Sequence, residues 1–409
     1  MKKLCICLLM IFAGKVVFPQ NFIWQQTSTN NTEALAVSGN TLYAAGGNEL
    51  YFSINKGTTW TRLLALNLGS YIKAIALHGS DIYVGGNANS VGAVLKSGDF
   101  GQTWVNVTPA GVTEDVRSIL ITGNDIYIGI RSPIQPQGVF KSSLTSLSSS
   151  SWSLFNTGLG NTSVMSLVAS GSNILAGTEG GSVWVSPASG ANWVNAFAGT
   201  SLQQNNVIVN MSVNSSTVFA CAHQFAPNLF KSTDNGTTWS VVNSPVFSTS
   251  ALYSIFLNGN DVYAGFEHSG GPAFSTDQGG TWTVKGNGLV TIPDKNIYSF
   301  ALVGQTLFAA AMSGVWKYDV ATETSLAERG MAESISIYPN PVLHGILHVS
   351  GDKSLNGSIT VINAIGQVAI KQDIINGQTD IDLTGSAKGI YTVIVNSGEH
   401  FSTYKVVNQ

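Results

Sequence analysis

The chain contains little cysteine and little charge for its length. Three of its 409 residues are cysteines, and Asp, Glu, Lys and Arg together make up 10%. Cys5 and Cys7 lie in the first apolar segment, which leaves Cys221 without a partner for an internal disulfide. Stability must therefore come from packing, and we expect Cys221 to be a small buried hydrophobe in a strand.

The scarcity of charge also restricts the possible partners. The formal net charge is −3, and no basic stripe is dense enough to neutralise a run of phosphates, which argues against a nucleic acid partner. Hydrophobic residues make up 44%, a balance that favours burial over disorder. A chain of this length is expected to form one large repeat domain and a small second domain.

Long hydrophobic runs are missing too. A membrane-spanning helix needs about 20 apolar residues, and every later apolar run is interrupted within a few residues by Gly, Asn or Ser. The short stretch from Leu4 to Ala13 follows Lys2 and Lys3, as in a secretory signal. We therefore predict a signal peptide over residues 1–20 and no transmembrane segment in the mature chain.

Motifs of common cofactor and catalytic centres are also absent. The chain has no HExxH, no CxxC pair, no Gly-rich phosphate loop between a strand and a helix, and no GxSxG elbow. Glu267, His268 and His223 are metal-ligand types, but sequence alone does not bring these separate repeats together. We therefore predict no cofactor and no metal site.

What the chain does have is glycine and a strong internal repeat, with a unit of roughly 40 to 50 residues. In each of seven copies, a Gly, Asn, Ser or Asp turn separates two apolar or alternating runs, which is typical of a tight hairpin. The copies are AVSGNTLYAAG from Ala36, ALHGSDIYVGG from Ala76, LITGNDIYIGI from Leu120, VASGSNILAGT from Val168, SVNSSTVFACA from Ser212, FLNGNDVYAGF from Phe256 and ALVGQTLFAAA from Ala301.

The second part of the repeat is an eight-residue string that ends in tryptophan. The strings are SINKGTTW (53–60), SGDFGQTW (97–104), SPASGANW (186–193), STDNGTTW (232–239) and STDQGGTW (275–282). They resemble the Asp-box, or bacterial neuraminidase repeat, and three copies match its S-x-D-x-G-x-T-W pattern closely. The third repeat keeps only Trp152, and the seventh has no box.

Each position of the Asp-box has a structural explanation. The Asp or Asn can accept backbone N–H bonds in the turn, the Gly permits a left-handed backbone, and the Trp can pin one blade against its neighbour. We therefore interpret these residues as structural and not catalytic: Asn55, Gly57, Trp60, Asp99, Gly101, Trp104, Trp193, Asp234, Gly236, Trp239, Asp277, Gly279 and Trp282.

The repeats predict an all-β fold, a seven-bladed β-propeller over residues 21–320 with four strands in each blade. Blade seven has no fourth strand after Gly314–Val320. The Trp-bearing segment Asn21–Ser28 precedes blade one, and we expect it to pair with blade seven, because ring closure removes free sheet edges. The repeat form also resembles the photosystem II assembly factor family of single seven-bladed propellers, which implies a binding role without chemistry.

A polar segment over residues 321–333, predicted to be a linker, precedes alternating strands suited to a small C-terminal β-sandwich. This tail, residues 334–409, resembles the type A C-terminal sorting domain of the type IX secretion system of Bacteroidetes. The resemblance rests on Tyr338-Pro339-Asn340-Pro341, the hairpin from Asn363 to Gln367, Lys388-Gly389-Ile390-Tyr391, and Lys405. It implies recognition by the secretion machinery and a location on the outer-membrane surface or outside the cell. The alternative is an ordinary adhesive β-sandwich.

Propeller ligands usually meet the loops around the mouth of the central channel. The phase of the repeats places the following polar residues there: Lys73, Glu114, Asp115, Arg117, Arg131, Glu179, His223, Gln224, Glu267, His268, Asp294 and Lys295. Our candidates for ligand binding are Arg117, Arg131, His223, His268 and Lys295. Our candidates for a catalytic carboxylate are Glu114, Asp115, Glu179, Glu267 and Asp294.

Two hypotheses for function remain after sialidase activity is considered. Sialidases clamp a carboxylate with three arginines, whereas this propeller offers only Arg62, Arg117 and Arg131, and Arg62 belongs to an outer strand. The first hypothesis is a binding module for an extracellular glycan, peptide or protein. The second is a polysaccharide-active glycoside hydrolase with carboxylates from different blades at the propeller mouth. The sequence favours the first, because it contains no complete catalytic set.

Overall fold

The computed structural model divides the chain into two compact units, Met1–Val320 and Ala321–Gln409. The predicted signal peptide and linker lie outside the residues that the structure describes. The described residues are 24–28, 30–66, 70–89, 91–132, 137–190, 192–200, 207–223, 228–248, 250–267, 271–320, 335–342, 345–351, 356–363, 368–397 and 400–409.

The first unit is a β-propeller, and its described residues form seven antiparallel sheets of four strands each, which confirms the predicted fold class. The strands are β2 (Ala34–Ser38), β3 (Thr41–Gly46), β4 (Glu49–Ser53) and β5 (Thr61–Ala65) in blade one; β6 (Tyr71–His78), β7 (Asp81–Ala88), β8 (Val91–Ser97) and β9 (Val105–Asn106) in blade two; β10 (Asp115–Thr122), β11 (Asp125–Arg131), β12 (Val139–Ser143) and β13 (Ser153–Leu154) in blade three; β14 (Val164–Ser170), β15 (Asn173–Thr178), β16 (Val183–Pro187) and β17 (Val194–Asn195) in blade four; β18 (Ile208–Asn214), β19 (Thr217–Ala222), β20 (Leu229–Ser232) and β21 (Ser240–Val241) in blade five; β22 (Leu252–Asn258), β23 (Asp261–Phe266), β24 (Ala273–Ser275) and β25 (Thr283–Val284) in blade six; and β26 (Ile297–Val303), β27 (Thr306–Ala311), β28 (Gly314–Asp319) and β1 (Gln25–Gln26) in blade seven.

The first strands of the blades form the inner wall of the ring. Neighbouring first strands pack against one another in the order β2, β6, β10, β14, β18, β22 and β26, and β26 packs against β2 again. Helical structure in the described part is limited to α1 (Ile292–Lys295) and two short 3-10 helices, Leu144–Ser146 and Pro245–Phe247. The second strands are almost entirely buried, because they have a neighbouring strand on each side and a neighbouring blade on each face.

Ring closure follows the sequence prediction. Strand β1 pairs antiparallel with β28, with Gln25 opposite Lys317 and Gln26 opposite Trp316. Trp24 is 2% exposed, and its indole Nε1 donates to the Lys285 carbonyl oxygen at 2.7 Å. Its ring lies 5.2 Å from that of Tyr318 between centroids. The segment therefore closes blade seven and also contacts blade six.

The Asp-box forms the turn between the third and fourth strands of a blade. In blade two, Asp99 Oδ1 accepts the Thr103 amide at 2.8 Å, and Asp99 Oδ2 accepts the Thr103 hydroxyl at 2.6 Å. Ser97 Oγ accepts the Gly101 amide at 2.7 Å, and Gly101 has a φ of +90°, which favours glycine. The same bonds occur around Asp234 and Asp277, and Asn55 forms the equivalent amide bond in blade one.

The tryptophans of the repeats pack between adjacent blades. The indole groups of Trp60, Trp152 and Trp193 each donate to a backbone carbonyl of the preceding outer strand or its flank. Those of Trp104, Trp239 and Trp282 donate to the glycine carbonyl of their own box. Trp193 is buried, whereas the other box tryptophans are partly buried and retain some contact with solvent.

Cys221 lies in β19 and is fully buried. Burial raises the pKa of its thiol, because the thiolate would lose its hydration. The side chain therefore acts as a small packing group, in line with its position in the core between blades five and six.

The second unit contains two antiparallel sheets around one hydrophobic core, as expected for a small β-sandwich. One sheet has the order β29-β30-β33 and the other β32-β31-β34-β35. The strands are β29 (Ser336–Tyr338), β30 (Ile346–Ser350), β31 (Gly357–Asn363), β32 (Val368–Ile374), β33 (Gln378–Asp382), β34 (Gly389–Ser397) and β35 (His400–Asn408).

The residues of the predicted sorting motif lie in or next to strands β29, β34 and β35. Asn340 Nδ2 donates to the Lys405 carbonyl at 2.8 Å, and Asn340 Oδ1 accepts the Val407 amide at 3.0 Å. The Tyr391 hydroxyl donates to the Ala387 carbonyl at 2.7 Å, in the turn before Gly389. Tyr338, Pro339, Pro341 and the Lys405 side chain are exposed, while most of the hairpin from Asn363 to Gln367 lies outside the described residues.

Trp24→Ala tests the closure of the ring. We expect the free energy of unfolding to fall by about 3–5 kcal/mol, because a buried indole and its hydrogen bond are lost. The measurement is urea unfolding of the purified protein. Leu154→Ala, on the outer strand of blade three at 63% exposure, is the control and should change stability by less than about 0.5 kcal/mol. Equal effects of the two substitutions would contradict the closure.

Asp99→Asn tests the charged Asp-box turn. Hydrogen bonds from the Thr103 side chain and backbone lower the pKa of Asp99 from 3.8 to about 2. A carboxyl group with a lowered folded-state pKa stabilises the fold above its unfolded pKa, and the contribution disappears as the pH falls towards the folded value. We therefore expect the wild type to exceed Asp99→Asn in stability near pH 7, and this difference to shrink between about pH 4 and pH 2. A difference independent of pH in urea unfolding would contradict this assignment.

Candidate ligand-binding cavity

An extra residue interrupts the innermost strand of six blades. The register between first and second strands shifts at one residue in each of these blades, at Lys73, Arg117, Met165, Val209, Tyr253 and Tyr298. Such a β-bulge re-aims the side chain of the extra residue. All six side chains line one cavity of about 480 Å³, and Glu33, directly before β2, supplies the seventh position. We call these seven residues the bulge ring.

The members of the bulge ring share one sequence spacing. Each lies six residues before the Gly or Ser that follows the first strand of its blade, at Gly39, Gly79, Gly123, Gly171, Ser215, Gly259 and Gly304. Lys73 and Arg117 were predicted from the sequence as channel-mouth residues. The other five members were not, because that prediction considered polar residues of the loops. Counting back from the turn within each repeat would have found all seven.

The bulge ring has three chemically distinct sectors. Blades one to three contribute the charged residues Glu33, Lys73 and Arg117, and blades four and five contribute Met165 and Val209. Blades six and seven contribute Tyr253 and Tyr298. The volume is in the range of pockets that hold small molecules or single side groups. Charge and apolar surface therefore meet in one cavity.

Both carboxylates of the cavity are paired with cations. Lys73 Nζ lies 2.5 Å from Glu33 Oε2, and Arg131 Nε lies 2.6 Å from Glu179 Oε1. The Ser163 hydroxyl donates to Glu179 Oε2 at 2.6 Å. Burial opposes the ionisation of Glu179, but the hydrogen bonds from Ser163 and Arg131 outweigh it and lower its pKa. Glu179 is therefore held as a carboxylate.

Arg117 is the third cation of the cavity and differs from the other two. Its guanidinium has no hydrogen bond or ion pair with any residue that the structure describes. Burial lowers the pKa of Arg117, and the nearby charge of Arg131 acts in the same direction, against the attraction of Glu33. Removing an unpaired charge from water without a partner is costly. Arg117 is therefore a cation that an incoming anion could neutralise.

The aromatic sector is held in place by a side-chain network. The His223 ring stacks on Tyr253 with centroids 4.6 Å apart and an interplanar angle of 16°, and the Tyr298 ring lies 4.9 Å from that of Tyr253 between centroids. The Tyr253 hydroxyl donates to Glu267 Oε1 at 2.9 Å, and His223 Nε2 lies 3.1 Å from Glu267 Oε2. Burial and the bond to Glu267 raise the pKa of Tyr253. These contacts fix the orientation of the Tyr253 ring, which lines the cavity.

Other predicted site residues lie elsewhere. Asp115 Oδ1 accepts the Asn87 side-chain amide at 2.7 Å, and neither it nor Glu114 lines the cavity. Asp294 is buried in α1 and accepts the Thr291 amide at 2.7 Å and the Val290 amide at 3.1 Å. Burial opposes its ionisation, but these bonds lower its pKa.

Lys295 ends α1 and does not line the cavity either. Gln224 and His268 lie outside the described residues. In the described part of the chain, no three His, Cys, Asp or Glu side chains come together as metal ligands would. Among the same residues, no helix has the length and hydropathy required to cross a membrane.

Comparison with known families identifies the C-terminal unit. Residues 336–409 match the family described as the secretion system C-terminal sorting domain. A search of curated proteins found no match. This family therefore covers the sandwich described above.

Comparison with solved structures concerns mainly the propeller. YCF48 bound to D1 peptide is similar with a TM-score of 0.55 and 17% identity, covering 73% of this chain and 96% of that one. The WD40 β-propeller domain of Doa1 has a TM-score of 0.54 and 13% identity, covering 72% and 96%. The extracellular domain of the putative one-component system BT4673 from B. thetaiotaomicron has a TM-score of 0.55 and 13% identity, covering 93% of this chain and 52% of that one. These identities support the fold alone.

Fold and tail together define a class, an exported β-propeller with a sorting domain. The C-terminal domain belongs to the type IX secretion sorting domains, and the protein is directed by that system to the cell surface or the exterior of a Bacteroidetes-type bacterium. Its sorting domain is the part that interacts with the secretion machinery.

Arg117→Met tests whether the unpaired guanidinium destabilises the fold. We expect the free energy of unfolding to rise by about 1 kcal/mol, because an unpaired charge is replaced by an apolar chain of similar length. The measurement is urea unfolding without added ligand. Arg62→Met removes a cation whose side chain is 58% exposed and should change stability by less than about 0.5 kcal/mol. Destabilisation by Arg117→Met would show that Arg117 has a structural partner.

Proposed function

We propose that this protein is an extracellular binding module whose ligand enters the mouth of the channel and occupies the cavity inside the bulge ring. The observation that carries the proposal is the isolation of Arg117, a partly buried cation beside two carboxylates that are each already paired. The lining of the cavity is mixed: Met165, Val209 and the tyrosines supply apolar surface beside serine, asparagine and charged side chains.

The state of the carboxylates favours binding over hydrolysis. A glycosidase acid needs a carboxyl group whose pKa is raised, so that it carries a proton near neutral pH. Glu179 and Asp294 instead have lowered pKa values, and Asp294 caps a short helix. Glu267 is occupied by Tyr253 and His223. This supports a role in which the side chains hold a ligand without reacting with it.

A peptide segment is the ligand class that we favour. One propeller of similar fold, YCF48, is known in complex with a D1 peptide. Met165 and Val209 give the cavity an apolar sector against which the side chain of a peptide residue can pack.

A pair of cavity and surface variants tests the proposal. The purified protein is screened against arrays of defined peptides and polysaccharides, and released reducing ends are measured for every polysaccharide. Val209→Trp fills the cavity, whereas Val105→Trp adds the same ring on an outer strand at 62% exposure. For a retained ligand, we expect Val209→Trp to weaken binding at least about tenfold by steric exclusion, and Val105→Trp to leave it unchanged.

Three outcomes would contradict the proposed function. These are the absence of any retained ligand, equal binding by Val209→Trp and the wild type, and the release of reducing ends. The last would favour the glycoside hydrolase. Thermal unfolding of both tryptophan variants establishes that any loss of binding does not reflect unfolding.

A further inference from the structure

The order of sectors around the bulge ring specifies more than a general cavity. Arg117 lies in blade three, and the next two blades contribute Met165 and Val209, followed by Tyr253 in blade six. Because consecutive first strands pack against each other, the unpaired guanidinium is adjacent to the apolar sector. A group bound at Arg117 therefore has apolar surface directly beside it on one side.

We propose that the cavity takes the C-terminal residue of a peptide, with its free carboxylate on Arg117 and an apolar or aromatic side chain against Met165, Val209 and Tyr253. This inference rests on the proposed function and narrows it to one ligand chemistry.

The charges in the cavity favour an anion beside Arg117. Glu33 and Glu179 are ion-paired with Lys73 and Arg131, so Arg117 is the cation of the cavity that has no ion pair with a described residue. A guanidinium presents paired N–H donors that match the two oxygens of a carboxylate. A ligand carboxylate would supply the acceptors that Arg117 lacks among the described residues.

The rest of the cavity favours the end of a chain with an apolar side group. A cavity of about 480 Å³ has room for one terminal residue with its side chain. Tyr253 is already fixed by Glu267 and His223, so an aromatic side chain can pack on it with little loss of conformational freedom.

The test compares free and amidated peptide ends. The first probe is an N-acetylated peptide of four alanines followed by a C-terminal phenylalanine with a free carboxylate. The second is the same peptide with a C-terminal amide, and the third has glycine in place of phenylalanine and a free carboxylate. Isothermal titration of the full chain gives the dissociation constants. We expect the free acid to bind at least about tenfold more tightly than the amide and than the glycine peptide, because each lacks one of the two contacts.

Substitution of Arg117 provides a second test. Arg117→Gln should weaken binding of the free acid about 10- to 100-fold and bring it close to that of the amide, since the charged hydrogen bonds are lost. Arg62→Gln, on the exposed outer strand of blade one, should leave all three dissociation constants unchanged. Because Arg117 makes no hydrogen bond or ion pair with a described residue, both variants should remain folded.

Several results would overturn this inference. Equal binding of the acid and the amide would remove the role of the carboxylate, and Arg117-dependent binding of galacturonic acid but not of the phenylalanine peptide would indicate an acidic glycan instead. Displacement of the peptide by equimolar inorganic phosphate would indicate a general oxyanion site. If the peptides fail to bind while Val209→Trp still abolishes binding of an array ligand, this inference is wrong and the proposed function stands.

Discussion

The antiparallel pairing of β1 with β28 is the constraint on which the rest of the propeller depends. It joins two segments almost 300 residues apart, with Gln26 opposite Trp316, and it gives blade seven its fourth strand. Once the ring is closed, the seven first strands face a common axis and residues from every repeat converge there. Trp24 reinforces this closure, because its buried ring contacts blades six and seven together.

The outer and inner parts of each blade have different roles. At the periphery, the Asp-box recurs with the same hydrogen bonds around Asp99, Asp234 and Asp277, and it provides stable turns without disulfides. At the channel, the bulge position recurs in geometry but varies in chemistry from glutamate to tyrosine. A propeller can therefore change its ligand by substituting single residues at one position of each repeat while its turns and packing remain the same.

Stability and binding make opposite demands at Arg117. The guanidinium lies partly buried without a described partner, a state that costs free energy in the unliganded protein. Neighbouring cations avoid that cost, because Lys73 and Arg131 pair with carboxylates across adjacent blades. At functional sites, proteins commonly retain groups such as an unpaired charge in a cavity, which lower the stability of the fold. Delivery to the cell surface or exterior places this cavity where extracellular ligands are available.

The seven blades, the closing strand, the Asp-box turns and the sorting tail could be predicted from the sequence, because they depend on local periodicity, turn chemistry and short motifs. It also named Arg117, Arg131, Glu179 and His223 near the channel mouth. The folded structure was needed to show which charges are paired, and that Tyr253 and Val209 belong to the site. The reason is physical: these properties arise from side chains about one repeat apart or more, which meet only when bulged strands surround a closed channel.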